Sequence, residues 1–287
     1  MNRRTFLAAA SAAGVFAAQA KITVGAHPWV FAAKQPQYDP TPIAEQIFRE
    51  FSGAGVDGIE LMHPMLLKDG SVERIRELSK RYRLPVLGTS YGAAMWKAEE
   101  SKAIVAEART LIERLHAAGG RTLGISVGDA GRKKTESELD TQAGVLRNIL
   151  SMAAEQGVAP NLHNHVYEVR DEEHDLKGTL ARIPGVKLGP DLNWLVRAKV
   201  DPVDFISRHR DRLIFAHLRD QKADGKWCEA MGEGATDFAA IGRKLREIGF
   251  RGDLVIELAH ERDFVPTRSY GESLRVSRDY VRRTMNY

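Results

Sequence analysis

Short apolar runs alternate with longer amphipathic stretches along nearly the whole chain. The runs are Ile22–Val30, Val56–Met62, Leu84–Thr89, Arg121–Val127, Ala159–His165, Val186–Leu192, Leu213–Leu218 and Asp253–Leu258, and they predict strands. Between them lie Pro42–Ala54, Val72–Tyr82, Ala98–Ala118, Glu136–Gln156, Glu172–Ala181, Pro202–Arg208, Asp237–Ile248 and Tyr270–Arg283. Their spacing is helical: Leu139, Val145, Ile149 and Ala153 share one side, with Arg147 and Asn148 on the other. Asp201-Pro202 reads as a helix start and Gly119-Gly120 as a stop. Eight strand–helix units in one chain of 287 residues predict a single-domain α/β protein, a (β/α)8 TIM barrel. An open doubly wound sheet would usually carry a Gly-rich first turn, and none follows Ile22–Val30.

Composition narrows the chemistry. Cys228 is the sole cysteine, so an internal disulfide and a thiolate metal cluster are excluded, and any metal site must use histidines and carboxylates. The net charge of +4 is small and its Lys and Arg residues are scattered, which argues against a nucleic-acid partner. The first twenty residues stand apart. Arg3 and Arg4 precede an apolar stretch from Phe6 to Ala18, and Ala18-Gln19-Ala20 has the form of a cleavage site. The pair of arginines before Thr-Phe-Leu resembles a twin-arginine signal. Residues 1–20 are therefore expected to export the protein through the twin-arginine translocase to the periplasm, leaving the barrel at 21–287. The apolar stretch is too short to span a bilayer and no other segment qualifies, so an integral membrane protein is not expected.

Barrel enzymes gather their chemistry at the C-terminal ends of the strands. Those ends carry His27, Glu60 and His63, Ser90 and Tyr91, Ser126 to Asp129, His163 and His165, Asp191, His217, and Glu257. A lone histidine there is often a hydrogen-bonded structural residue, and a lone carboxylate often caps the next helix. His163, Asp191, His217 and Glu257, however, fall on four consecutive strands and point to one spot on the barrel axis. Two imidazoles and two carboxylates suit one divalent ion of the Mn, Zn, Fe or Co kind.

Several motifs at these ends resemble a known family: Gly58-Ile59-Glu60-Leu61, Leu162-His163-Asn164-His165, Asp191-Leu192-Asn193-Trp194, His217-Leu218-Arg219-Asp220, Gly232-Glu233-Gly234 and Val255-Ile256-Glu257-Leu258. In order and spacing they resemble the xylose isomerase-like barrel superfamily, and within it the sugar phosphate isomerase/epimerase branch. The resemblance implies a single ion, commonly Mn, with Asp191, His217 and Glu257 as its last three ligands. His163 stands where the ketose epimerases carry a glutamate, which leaves Glu257 as the one metal-bound glutamate able to move a proton. The second proton carrier is then His163, His165 or Glu168, or there is none. The superfamily's three-zinc DNA-repair branch pairs the sixth-strand aspartate with a histidine three residues later. This chain has Trp194 there and no histidine in 221–228.

The resemblance implies a divalent-metal-dependent isomerase or epimerase acting on a sugar through an enediolate, with Glu257 as base and His165 as second acid–base group. Elimination β to the carbonyl, making a lyase or dehydratase, and a non-catalytic sugar-binding barrel are the alternatives. An export signal favours an unphosphorylated sugar or keto-sugar. Glu60 is either a catalytic or substrate-contacting carboxylate or a partner for a histidine. Trp194, Arg219, His63 and Glu233 are candidate substrate contacts, with Glu233 on a mobile loop over the pocket. His27 reads more as pocket wall. A homo-oligomer is compatible with the sequence and not dictated by it.

Overall fold

The computed structural model describes residues 22–287; residues 1–20, expected from the sequence to be an export signal, lie outside the described residues. All eight predicted strands form: β1 (Val24–Ala26), β2 (Ile59–Met62), β3 (Val86–Gly92), β4 (Thr122–Ser126), β5 (Ala159–Leu162), β6 (Lys187–Leu188), β7 (Phe215–Leu218) and β8 (Asp253–Ile256). Neighbours pair in parallel in the order β6-β5-β4-β3-β2-β1-β8-β7. The ring closes through two parallel bridges between the ends of that order, Leu188 to Leu213 and Asp191 to His217. The result is a (β/α)8 barrel.

The helices are α1 (Trp29–Ala32), α2 (Ala44–Ala54), α3 (Pro64–Leu67), α4 (Ser71–Tyr82), α5 (Ser101–Ala117), α6 (Glu136–Glu155), α7 (Val166–Arg182), α8 (Leu192–Arg197), α9 (Pro202–Arg208), α10 (Phe238–Glu247) and α11 (Tyr270–Met285). Where local chemistry was explicit, starts fall as expected. Asp201 accepts from the Asp204 N–H at 2.8 Å, and Thr135 with Glu138 forms a capping box for α6. Two expected strands were too long. Trp29–Ala32 and Leu192–Arg197 are helical although each begins as an apolar run. At the second, the Asp191 carboxylate accepts from the N–H groups of Asn193 (2.9 Å) and Trp194 (3.0 Å) and turns the chain. Helix α7 starts six residues before the predicted Glu172, because Glu168 reaches back to the His165 N–H at 2.7 Å. Left-handed residues at Asp171, Glu172 and Glu173 then interrupt it. Among the described residues, no helix is long and apolar enough to cross a membrane.

Most of the apolar core lies between strands and helices, while Leu87, Phe215 and Val255 form a separate cluster. Residues two apart on a strand share a face. Phe215 and Val255 therefore set His217, Arg219 and Glu257 on the same inward side, above an apolar floor. Close packing here demands glycine. A Cβ on Gly88 would stand 2.1 Å from Thr122 Oγ1 and 2.4 Å from its carbonyl oxygen. Gly88→Ala is accordingly expected to lower stability by about 1–3 kcal/mol in urea denaturation, the usual range for overpacking; an unchanged midpoint would mean that β3 and β4 move apart freely.

Candidate active site

The closing bridge between β6 and β7 brings Asp191 against His217, and β5 adds His163. One ligand atom from each of His163, Asp191 and His217 lies within 4.8 Å of the others. Asp191 is fully buried and doubly used. Its Oδ1 caps α8, and its Oδ2 accepts from Arg219 Nη2 at 2.6 Å. The same Arg219 nitrogen donates to Glu257 Oε2 at 2.9 Å. His217 stands between two carboxylates, with Nε2 2.5 Å from Glu60 Oε2 and Nδ1 3.0 Å from Glu257 Oε2.

These charges fix one another's ionisation. Burial by itself lowers the pKa of His217, but Glu60 and Glu257 outweigh it and push it up to about 10. Burial raises that of Glu257, and the cations of Arg219 and His217 overcome this and hold it well below the carboxylate range. His163 is held well below the ordinary imidazole value by burial, with His217 and His165 adding to the effect. A neutral imidazole, a buried carboxylate and a carboxylate-oriented histidine that would release one ring proton on binding the ion are the donor types that suit a divalent transition metal. The residues therefore fit the ion that the strand-end pattern implied. Glu257 stands beside the trio, attached to it through His217 and Arg219.

A cavity of about 460 Å³ opens over this cluster. Of the strand-end residues singled out from the sequence, His27, His63, Ser90, Tyr91, Ser126, His163, His165, His217 and Glu257 line it. Glu60 is 1% exposed and outside the lining; it is the partner of His217. Arg219 does face the same side as His217, but it is buried and engaged with the two carboxylates. Its guanidinium carbon lies 5.3 Å from the Trp194 ring and 5.7 Å from Trp227, while Arg197 stacks 4.2 Å over Trp227. Trp194 thus packs against cations and, at 5.7 Å, against the His165 ring.

Glu233 lies elsewhere. Its carboxylate accepts from the Ala230 N–H and pairs with Arg268, on an exposed turn outside the cavity lining. The loop expected to be mobile is fastened by Asp220, which accepts from the N–H groups of Gly232, Gly234 and Thr236. Sequence reading missed Tyr167 as cavity lining. Tyr167, stacked on His165 at 5.0 Å, left a usable signal in its place two residues past a strand-end histidine.

His165 is positioned from behind. Ser126 Oγ lies 3.3 Å from its Nδ1, and the Glu168 carboxylate lies 3.8 Å from the same atom. Glu168 is buried, and burial raises its pKa to about 8, against an ordinary value of 4.5.

Many solved structures are similar in fold. A sugar phosphate isomerase/epimerase from Parabacteroides distasonis superposes with a TM-score of 0.72 at 15% identity, covering 95% of this chain and 98% of the other. A D-allulose 3-epimerase from Methylomonas sp. gives 0.73 at 18% identity, with coverages of 92% and 98%. A 3-keto-D-glucoside 4-epimerase from E. coli gives 0.67 at 19%, with coverages of 90% and 100%. The family model described as xylose isomerase-like TIM barrel matches residues 48–280. No curated protein matches the sequence.

Two outcomes follow from the buried charges. Arg219→Met leaves Asp191 and Glu257 without their shared cation, and urea denaturation should show a loss of about 3–5 kcal/mol, as for other broken buried pairs. Arg219→Lys should recover part of it; a Met variant as stable as the parent would show that the carboxylates do not depend on the guanidinium. For Glu168, the raised pKa means that the folded protein keeps a proton which the unfolded chain has released between pH 4.5 and about 8. Its contribution is intact below that window and declines as the pH rises through it. Thermal melts should therefore show Glu168→Gln gaining on the parent from pH 5 to pH 8.5, and a constant difference would contradict this.

Proposed function

We propose that this chain, a member of the xylose isomerase-like TIM-barrel family, is a metal-dependent isomerase or epimerase that moves a proton beside the carbonyl of a neutral sugar or keto-sugar. The observation that carries this is the convergence of His163, Asp191 and His217 beneath a cavity that Glu257 also lines. These three residues would hold the ion, with Glu257 adjoining. A divalent ion there supplies Lewis-acid polarisation of a carbonyl oxygen. We assign Mn²⁺ to the site on the resemblance to the ketose epimerases; the mixed imidazole and carboxylate donors also accept Zn, Fe and Co.

The chain's own residues account for the rest. Arg219 keeps the Glu257 carboxylate ionised, and Arg219 and the His217 ring direct it, with Oε2 engaged and Oε1 on the side of His27. Glu257 is thereby the proton acceptor. His165 lines the cavity from another wall, and Ser126 and the Glu168-capped helix start hold its ring, so it is assigned the second proton transfer. Tyr91 and His63 complete the wall between them. Among the described residues no lysine or arginine lines the cavity, which supports a neutral substrate over a phosphorylated one. The likeness in fold to epimerases of allulose and of a 3-keto-glucoside agrees with that class. We also read residues 1–20 as the export signal that places the enzyme in the periplasm.

The test combines metal analysis with isotope exchange. The purified protein is expected to hold about one equivalent of divalent metal, as one such donor set implies, and His163→Ala, Asp191→Asn or His217→Ala to lose it. With neutral ketoses and 3-keto-glycosides in D₂O, the parent should place solvent deuterium on the carbon beside the carbonyl. Glu257→Gln should lose that exchange. An eliminated aglycone in place of an epimer would reassign the reaction to a lyase, and a protein that neither binds metal nor exchanges the proton would sink the reading.

A further inference from the structure

His27 follows β1 and is 4% exposed, yet neither ring nitrogen has a hydrogen-bond partner. Its Nδ1 lies 3.6 Å from Glu257 Oε1, beyond hydrogen-bond reach. The position itself is secure, because the His27 N–H donates to the Ile256 carbonyl at 3.0 Å and extends the pairing of β1 with β8. The ring lines the 460 Å³ cavity together with Glu257 and Trp29. It is not one of the closely grouped ligand residues, and its centre lies 5.6 Å from that of His217.

A buried polar group without a partner lowers the stability of the free protein, and native folds keep few of them. An apolar residue would serve better at this place if packing were its sole task. The unpartnered ring is better explained by a partner that arrives with the ligand, as stability is often given up at sites of function. Trp29, two residues on, adds the complementary surface. It stacks on Tyr38 at 5.5 Å with the rings 7° from parallel, and it lines the same cavity. A pyranose or an open-chain ketose offers both things this corner lacks: a C–H face for an indole and hydroxyl oxygens for an imidazole.

We propose that His27 is a substrate-binding residue whose ring hydrogen-bonds an oxygen of a neutral sugar on the Glu257 side of the cavity. Such a bond would fix the substrate where the Glu257 carboxylate meets the carbon to be deprotonated. The proposal rests on the sugar reading above, so its test includes a readout that needs no sugar.

The variants are His27→Leu, similar in volume and without polar atoms, His27→Asn, whose amide reproduces the Nδ1 position, and His27→Gln, whose amide reproduces Nε2. The full chain is first melted without sugar. His27→Leu is expected to melt about 2–4 °C higher than the parent, the shift that relief of one unpartnered polar group gives in a domain of this size. The Mn²⁺-loaded proteins are then titrated with D-fructose, D-allulose and a 3-keto-glucoside, followed by tryptophan fluorescence and calorimetry. His27→Leu should bind the sugar that the parent takes about tenfold more weakly or worse, with its metal content unchanged, and Asn or Gln should restore part of the affinity. A lower melting temperature for both Leu and Asn would overturn the proposal, since the ring would then be structural. Loss of metal in His27→Leu would also overturn it, by making the ring a ligand. Undiminished sugar binding by the Leu variant would do the same. A parent protein that takes up metal but binds neither of these ketoses nor a 3-keto-glucoside removes the sugar reading, and this proposal falls with it.

Discussion

Arg219 and the carboxylates around it set the terms for the rest of the site. Glu60, Asp191 and Glu257 are brought out of water to one end of the barrel, each at least 93% buried. Uncompensated carboxylates are unstable in such a place. The guanidinium answers two of them through one nitrogen, and the His217 imidazole answers Glu60 and, a second time, Glu257. That leaves a cluster in which each negative group has a fixed partner and a fixed direction. The free lone pairs that remain on Asp191 and Glu257 are pre-oriented, which is how a polar site avoids reorganising when a ligand arrives.

The surrounding architecture protects this arrangement. Trp194 and Trp227 flank the guanidinium, and Arg197 ties the loop carrying Trp227 down through the Gly225 carbonyl at 2.5 Å. Asp220, the residue after Arg219, gathers the N–H groups of the following loop. The segment from His217 to Gly234 is therefore organised from the same strand end that supplies the site. Behind β5, Lys134, Gln142, Asp175 and Thr179 form a buried network that seats α6 against α7, and with it the helix start that holds His165.

The contrast between Asp191 and Glu233 is instructive. Both are acidic residues in motifs with a flexible look, one before Leu-Asn-Trp and one between two glycines. Asp191 lies on the barrel closure and its side chain meets a helix start, a guanidinium and a histidine at once. Glu233 lies on an exposed turn and is engaged by Arg268 and its own loop. Residue type and spacing are the same kind of clue in both cases. What separates them is whether a strand carries the residue inward.

Much was nevertheless present in the sequence. The alternation of apolar runs with helical stretches is local, since it reflects periods of two and 3.6 residues. It was enough to give eight units, a barrel and a set of polar strand ends including His163, Asp191, His217 and Glu257. Strand ends themselves were harder, because hydrophobicity does not mark where a carboxylate such as Asp191 captures the next N–H groups and begins a helix. Partnerships were harder still. That Glu60 serves His217, that Arg219 bridges two carboxylates, that Glu168 is buried and that His27 has no partner all depend on which strand lies beside which. They also depend on how far the closing register between β6 and β7 slides. Those distances are set by the closed ring as a whole, and no window of sequence contains them.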